Sequence, residues 1–303
     1  MADHHRIILH GSRRSPFVEK VYRGLMLKRL PFEVHEPHTF QDLRRHNPTT
    51  GKMPALELDG QLLFDSTFIL RALDAYQPRP PLLSADPLIA AQQRLIEDWA
   101  DESLYWYGMA LRWTVPANAK RALQTFVSAA PLLLRPLVRV MAPRLMRSQV
   151  RAQGTGRLPA DVLVHELDGH LAALVKMVGR GPFFFGLDQP SVADLAVYGQ
   201  LFFLHDKAIP EGRATVENHP ALTELCLRLD VMTDWGQNTQ ASLSAKAVSA
   251  LGLLRGDLKS EGLFIPADPA KDAGKEIFTK EERENSIPDL PFFQPDRDAL
   301  EAG

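Results

Sequence analysis

The chain has 303 residues, room for two domains at roughly 150 residues each. Apolar residues make up 45% and charged residues 24%, which excludes wholesale disorder. The formal net charge of −2 excludes a chain built as a whole to grip nucleic acid.

The N-terminus, MADHHRIILHGSRR, has no long apolar run, so no signal peptide is expected. RIILH (6–10) reads as a strand, broken by GSRRSP. Residues 17–30 then carry Val18, Val21, Tyr22, Leu25 and Met26 at helical spacing, with Pro16 suited to the first turn. FEVHEP (32–37) alternates like a half-buried strand. After a polar segment, PALEL (54–58) and QLLFD (61–65) flank Asp59-Gly60, a hairpin signal. A helical pattern follows over 66–76. The order β-α-β-(α)-β-β-α predicts a small mixed sheet with helices on its faces.

PRPPLLSADP (78–87) reads as a linker. Beyond it, 88–113, 118–153, 160–178, 191–204 and 220–232 all have helical periodicity, which predicts an all-helical second domain. Ser191-Val-Ala-Asp194 is a capping box. From about Gly236 a third zone begins, with a helical pattern over 241–254. Residues 256–303 carry 12 acids and 6 bases, with the apolar groups Leu263-Phe264-Ile265, Ile277-Phe278 and Pro291-Phe292-Phe293. These hooks predict a tail that wraps over the body, with a disordered acidic appendage as the alternative. The expected domains are 1–80, 88–235 and a C-terminal extension, 236–303. No apolar run of bilayer length occurs; the greasiest region, 132–145, is broken by Pro136, Pro143 and arginines.

The strand–loop–helix at 6–17 places Ser12, Ser15 and Phe17 where the first N–H groups of a helix have no partner within it. Such a place stabilises a thiolate. The chain has no cysteine there, so Ser15 either donates a hydrogen bond to another molecule's thiolate or merely caps the helix. Met53-Pro54 opens a strand; a cis proline there would leave the Met53 backbone free to pair with an extended peptide. Asp65-Ser66 ends a strand and begins a helix, where a hydroxyl and N–H groups hold a carboxylate and Asp65 takes an ammonium. A thiol seat, a peptide seat and an α-amino-acid seat on one edge fit a cysteine-containing tripeptide.

At these residues the chain resembles the glutathione transferases: a thioredoxin-like α/β domain over 1–80 and an all-α bundle over 88–235. The pieces that carry the resemblance are Ser15-Pro16-Phe17, NPTTGKMPALELDGQLLFDS and FFFGLDQPSVADL. It implies glutathione as co-substrate, no metal, a small-molecule electrophile and a homodimer. It implies Ser15 as the catalytic residue that stabilises the glutathione thiolate, as in serine-type classes. Ser12, Phe17 and Lys52 would join the binding site, Lys52 at the glycyl carboxylate. Met53 would be the backbone partner before cis-Pro54, and Asp65 and Ser66 would hold the γ-glutamyl end. Serine rather than cysteine at position 15 argues against mixed-disulfide thiol transfer. RAQGTGR (151–157) and GRGPFFFG (179–186) are similar to the metaxin-like and failed-axon-connections-like branch, which makes a non-catalytic or membrane-associated adaptor the alternative.

The aromatic cluster Trp99, Tyr105, Trp106, Tyr107 and Trp113 lies on the first helix of the bundle. In this fold that helix borders the cleft, so Trp106, Arg112 and Trp113 are candidates for an apolar pocket. HELDGH (165–170) spaces its histidines five apart, about 140° round a helix, and is no zinc pair. Cys226 falls on an apolar face as a buried small hydrophobe, and a lone cysteine suits a reducing cytoplasm. Residues 103–160 hold nine Lys/Arg and no acid, with Arg144, Arg147 and Arg151 on one helical face. That face is either solvated or paired within the chain, or else touches an anionic membrane surface. No motif for nucleic acid accompanies it.

Overall fold

The computed structural model describes residues 6–37, 40–130 and 132–233. The expectations for 241–254 and for the acidic tail fall outside them. The first domain runs β1 (Ile7–His10), α1 (Pro16–Leu27), β2 (Glu33–His35), α2 (Phe40–His46), β3 (Ala55–Leu58), β4 (Gln61–Phe64) and α3 (Ser66–Tyr76). The sheet order is β2-β1-β3-β4, parallel for β1 with β2 and antiparallel elsewhere. Leu9 pairs with both Val34 and Leu56. All four residues of β1 are buried, three of them apolar in succession before His10, so it reads as a run and not an alternation. Asp59 (φ 49°) and Gly60 (φ 85°) both take positive φ, the tight hairpin that an Asp-Gly pair favours.

The α1 helix ends three residues before the sequence pattern does. Arg29 turns left-handed (φ 54°), and the N–H groups of Arg29 and Leu30 donate back to Met26 and Leu25. This closed end satisfies the last carbonyls, while Leu30 packs on the core from outside the helix. The seven-residue α2 stands where the expected order has its bracketed helix; its sequence, FQDLRRH, is mostly polar and shows no apolar stripe of its own.

The second domain is helical: α4 (Pro87–Trp99), a π turn (Ala100–Leu104), α5 (Tyr105–Thr114), α6 (Pro116–Ala129), a 3-10 turn (Leu132–Leu134), α7 (Arg135–Gln153), α8 (Ala160–Val178), α9 (Val192–Leu204), α10 (Pro210–Glu217) and α11 (Pro220–Thr233). The periodic run 118–153 is thus two helices. Ala130, ahead of Pro131 in sequence, is extended, as a residue before proline prefers. The short α10 was missed because PEGRATVE offers too few apolar residues to show a stripe. The linker is pinned: Leu82 is buried and its carbonyl accepts the Val192 N–H at 2.9 Å. The capping box forms, with Asp194 accepting from the Ser191 N–H and hydroxyl and from the Phe184 N–H. Burial pushes the Asp194 carboxyl up to about 6.

The two domains meet along α1 and α9. Gly199 on α9 lies so close to α1 that a Cβ there would sit 2.4 Å from the Pro16 carbonyl oxygen. Helices approach this closely only where one has no side chain. On an exposed helix a glycine-to-alanine change stabilises by about 0.5–1 kcal/mol. Here Gly199→Ala should instead destabilise by about 1–3 kcal/mol, the usual cost of overpacking. Denaturant unfolding of the two proteins checks the sign, and a gain in stability would refute the contact.

Candidate functional site

The end of β1 and the start of α1 are joined by a tight loop. Gly11 (φ 154°) opens it where a Cβ would lie 2.5 Å from Val18. The Ser12 N–H donates to the Met53 sulfur at 3.2 Å, and its hydroxyl donates to Glu36 at 3.0 Å. The Ser15 N–H donates to the Ser12 carbonyl at 2.9 Å, and the Ser15 carbonyl accepts the Glu19 N–H at 3.0 Å, which makes Ser15 the N-cap of α1. Its hydroxyl does not bond to the helix. The half-buried Ser15 oxygen therefore sits at the positive end of a twelve-residue helix without serving it.

Met53-Pro54 is a cis peptide immediately before β3. The loop leading to it is closed by Asn47, whose amide donates to Thr50 at 2.7 Å and to the Lys52 carbonyl at 3.0 Å. The Lys52 side chain is exposed. Across β4, Asp65 takes φ 74°, a conformation rare outside glycine, and caps α3 by accepting the Thr67 N–H at 3.0 Å. Ser66, first residue of α3, is buried.

Beneath this edge lies a cluster the sequence reading missed. Lys20 of α1 is fully buried and donates to Asp101 at 2.6 Å and to Thr67 at 3.2 Å, with Glu97 at 2.7 Å. Burial pushes the Asp101 carboxyl up to about 6 against the pull of Lys20. One ammonium thereby ties α1, α3 and the π turn together below the Asp65–Ser66 cap. A lysine on the polar side of a helix reads as solvated in a single sequence, because its partners Glu97 and Asp101 are 77 and 81 residues away.

The helical wall differs in part from expectation. Phe17 turns its ring to Tyr105, with centroids 5.0 Å apart, so its side chain is taken up at the domain junction. Tyr105 also meets Trp106 at 5.3 Å and Phe203 at 5.7 Å. Burial raises the Tyr105 hydroxyl above its ordinary value. Arg112 stacks over Phe203 at 4.1 Å and pairs with Asp206 at 2.9 Å. Trp113 is corrected from pocket to core: at 1% exposure it is enclosed, because α6 and α7 pack over α5 at that point. Tyr107 and Trp99 face α8 instead, where the Tyr107 hydroxyl lies 3.1 Å from His170. Cys226 is buried, and burial holds its thiol well above the ordinary value.

Residues 9–81 match the family model for the glutathione S-transferase N-terminal domain, and 167–229 match that for the C-terminal domain. Glutathione S-transferase U9 of Arabidopsis thaliana is 32% identical over 104 residues, 33% of this chain and 43% of that protein. Maleylacetoacetate isomerase of Pseudomonas aeruginosa is 35% identical over 95 residues, 28% of this chain and 44% of that protein. The matches thus span less than half the length of these curated relatives. Among solved structures, the β-etherase LigF of Sphingobium superposes with a TM-score of 0.56 at 20% identity, over 78% of this chain and 96% of that one. Rice GST1 in complex with glutathione superposes with a TM-score of 0.54 at 21% identity, over 84% and 99%. At that identity the superpositions speak for the fold alone. The chain therefore carries, in order, one segment that matches the N-terminal domain model of the glutathione S-transferases and one that matches the C-terminal domain model.

Proposed function

We propose that the protein is a serine-type glutathione transferase. The tripeptide lies along the edge formed by the start of α1, Met53-Pro54 and Asp65-Ser66. The observation that carries this reading is Ser15: an N-cap serine whose hydroxyl leaves its own helix unserved. A thiol brought to that point meets a hydroxyl donor and the positive end of a helix, and both favour the thiolate. The thiol proton leaves to solvent, and the sulfur lone pair then forms the new bond to an electrophilic carbon, from which a leaving group departs with its bonding pair or, in an addition, a π pair shifts to the neighbouring atom and takes up a proton from solvent. The protein's contribution is thiolate stabilisation and positioning.

Ser66 and the first N–H groups of α3 take the γ-glutamyl carboxylate, and Asp65 takes the ammonium. Lys52 is free to meet the glycyl carboxylate, and Ser12 shapes the loop by its bond to Glu36. Tyr105 and Trp106 bound the electrophile side, with Arg112 held back by Asp206. The rival reading, a non-catalytic metaxin-like adaptor, uses the same fold but requires no activated thiol.

Ser15→Ala should lower turnover with an electrophilic test substrate by tenfold or more, at one charge-assisted bond of about 1.5–3 kcal/mol. Ultraviolet titration of bound glutathione should show the thiol pKa rising in the variant. Equal titration in both proteins would mean that Ser15 does not activate the thiol, and no thiolate in either would favour the adaptor.

Ser66→Ala should weaken glutathione binding by about 1–3 kcal/mol in calorimetry. Unchanged affinity would put the tripeptide elsewhere.

A homodimer is also proposed. Leu88 and Leu95, seven residues apart on α4, are 69% and 70% exposed, an apolar face suited to a second copy. Leu95→Asp should shift the full-length protein to monomer in analytical ultracentrifugation; a wild-type monomer would dismiss the dimer.

A further inference from the structure

The α6–α7 hairpin lies outside both family-model matches, 9–81 and 167–229. Its inner side is anchored. The Asn118 amide donates to the Leu111 carbonyl at 2.9 Å and to Glu211 at 2.7 Å, Arg147 donates to the Trp113 carbonyl at 2.9 Å, and Val150 is fully buried. The turn and one exposed face of α7 are apolar, while α6 exposes Lys120, Arg121, Gln124 and Thr125. In the 3-10 turn between the helices, Leu132, Leu133 and Leu134 are 72%, 92% and 50% exposed. The exposed Leu137, Val140, Met141 and Leu145 extend this surface along one face of α7 at i, i+3, i+4 and i+8.

Charge accompanies the leucines. Arg144, Arg147, Arg151 and Arg157, with Ser148 and Ala152, line an open concavity beside this face. The bonds of Arg144, Arg147 and Arg157 go to the carbonyls of Val140, Trp113 and Arg151. Among the described residues, none of the four arginines forms an ion pair with a carboxylate. The surrounding stretch 103–160 has no acid at all. Guanidinium groups in this number, beside a hydrophobic face, are complementary to phosphate groups set over an apolar layer.

We propose that the α6–α7 hairpin docks the protein on an anionic phospholipid surface. Leu132–Leu134 enter the headgroup–acyl boundary, and the four-arginine concavity takes lipid phosphates. Three successive residues of a 3-10 turn point about 120° apart. The leucines therefore face all round the tip, and a fluid interface can surround them where a single protein face covers only one side. Free phosphate would account for the arginines and leave the leucines without a role. No helix among the described residues is long and apolar enough to cross a bilayer. The hairpin therefore lies in the interface.

The test uses the full-length protein and sedimentation with vesicles. Vesicles of phosphatidylcholine and phosphatidylserine mixed two to one should bind it at low salt, and pure phosphatidylcholine vesicles at least about tenfold less. Leu133 is 92% exposed, so Leu133→Asp should keep the wild-type thermal midpoint and circular dichroism. Binding should still fall about tenfold. Arg144→Glu with Arg151→Glu should fall at least as far, since each basic side chain at such a surface is worth about fivefold in partitioning. Failure of the wild type to bind, equal binding to neutral vesicles, or wild-type binding by a folded Leu133→Asp would each overturn the proposal. A photo-crosslinking side chain at position 133 should label lipid. Labelling of residues 234–303 or of a second protein chain instead would assign the face to that occupant and likewise overturn it.

Discussion

The domain arrangement depends on the buried charges of α1. Glu19, Lys20 and Arg23 are 0%, 0% and 3% exposed, on a helix whose opposite side is packed with Val18, Val21, Tyr22 and Leu25. Each unpaired charge there would cost several kcal/mol. The partners come from other elements. Lys20 is met by Glu97 and Asp101 of the second domain, and Arg23 by Tyr198 of α9 and by Asp230 and Thr233 of α11. Glu19 receives both Arg13, from the Ser15 loop, and Arg23. Such networks add little net stability over an apolar filling, but they penalise a misplaced neighbour severely. In the observed docking of the helical domain each of these charges has an opposite charge beside it.

That constraint reaches the candidate site directly. Holding α1 from both sides fixes its N-terminus, and Ser15 with it. The same contacts bring α9 against Pro16, where Gly199 permits the approach, and Tyr105 against Phe17. The Asp65–Ser66 cap stands over Thr67, which shares Lys20 with Asp101. The loop that carries Ser15 and the Asp65–Ser66 cap are therefore both tied to one charged core, through Arg13–Glu19 and through Lys20–Thr67. The π turn between α4 and α5 supplies Asp101 to this core, and Tyr105 follows directly after it. Such turns place side chains out of step with a regular helix.

The α6–α7 hairpin stands apart from this economy. Its inner side obeys the same rules as the rest: Asn118 satisfies a buried carbonyl and Val150 fills the core. Its outer side follows neither the pattern of a solvated helix, which would carry mixed charges, nor that of a core helix, which would be covered. On α7 leucine and arginine stand side by side with no acid among them, which is the pattern the phospholipid proposal accounts for.

The sequence by itself determined most of the elements, though not α10 or the break between α6 and α7. The run RIILH, the Asp-Gly turn, the stripe after Pro16 and the capping box at Ser191 are local devices, read from neighbours within a turn or a strand pair. Their order was enough to reach the fold class. The candidate site was legible where it rests on such devices: Ser15 before a helix-starting proline, Met53-Pro54 at a strand start, Asp65-Ser66 at a strand-to-helix junction. What only the tertiary structure decided depends on pairs distant in sequence. Lys20 finds Asp101 across 81 residues, and Arg23 finds Tyr198 across 175. The same holds for the choice of Tyr105 over Trp113 at the junction. Three consecutive aromatics on one helix have no preferred direction until a neighbouring helix arrives, and Phe17 and Phe203 arrive at Tyr105. A side chain's partner across the fold is set by the packing of elements, and periodicity within one element carries no record of it.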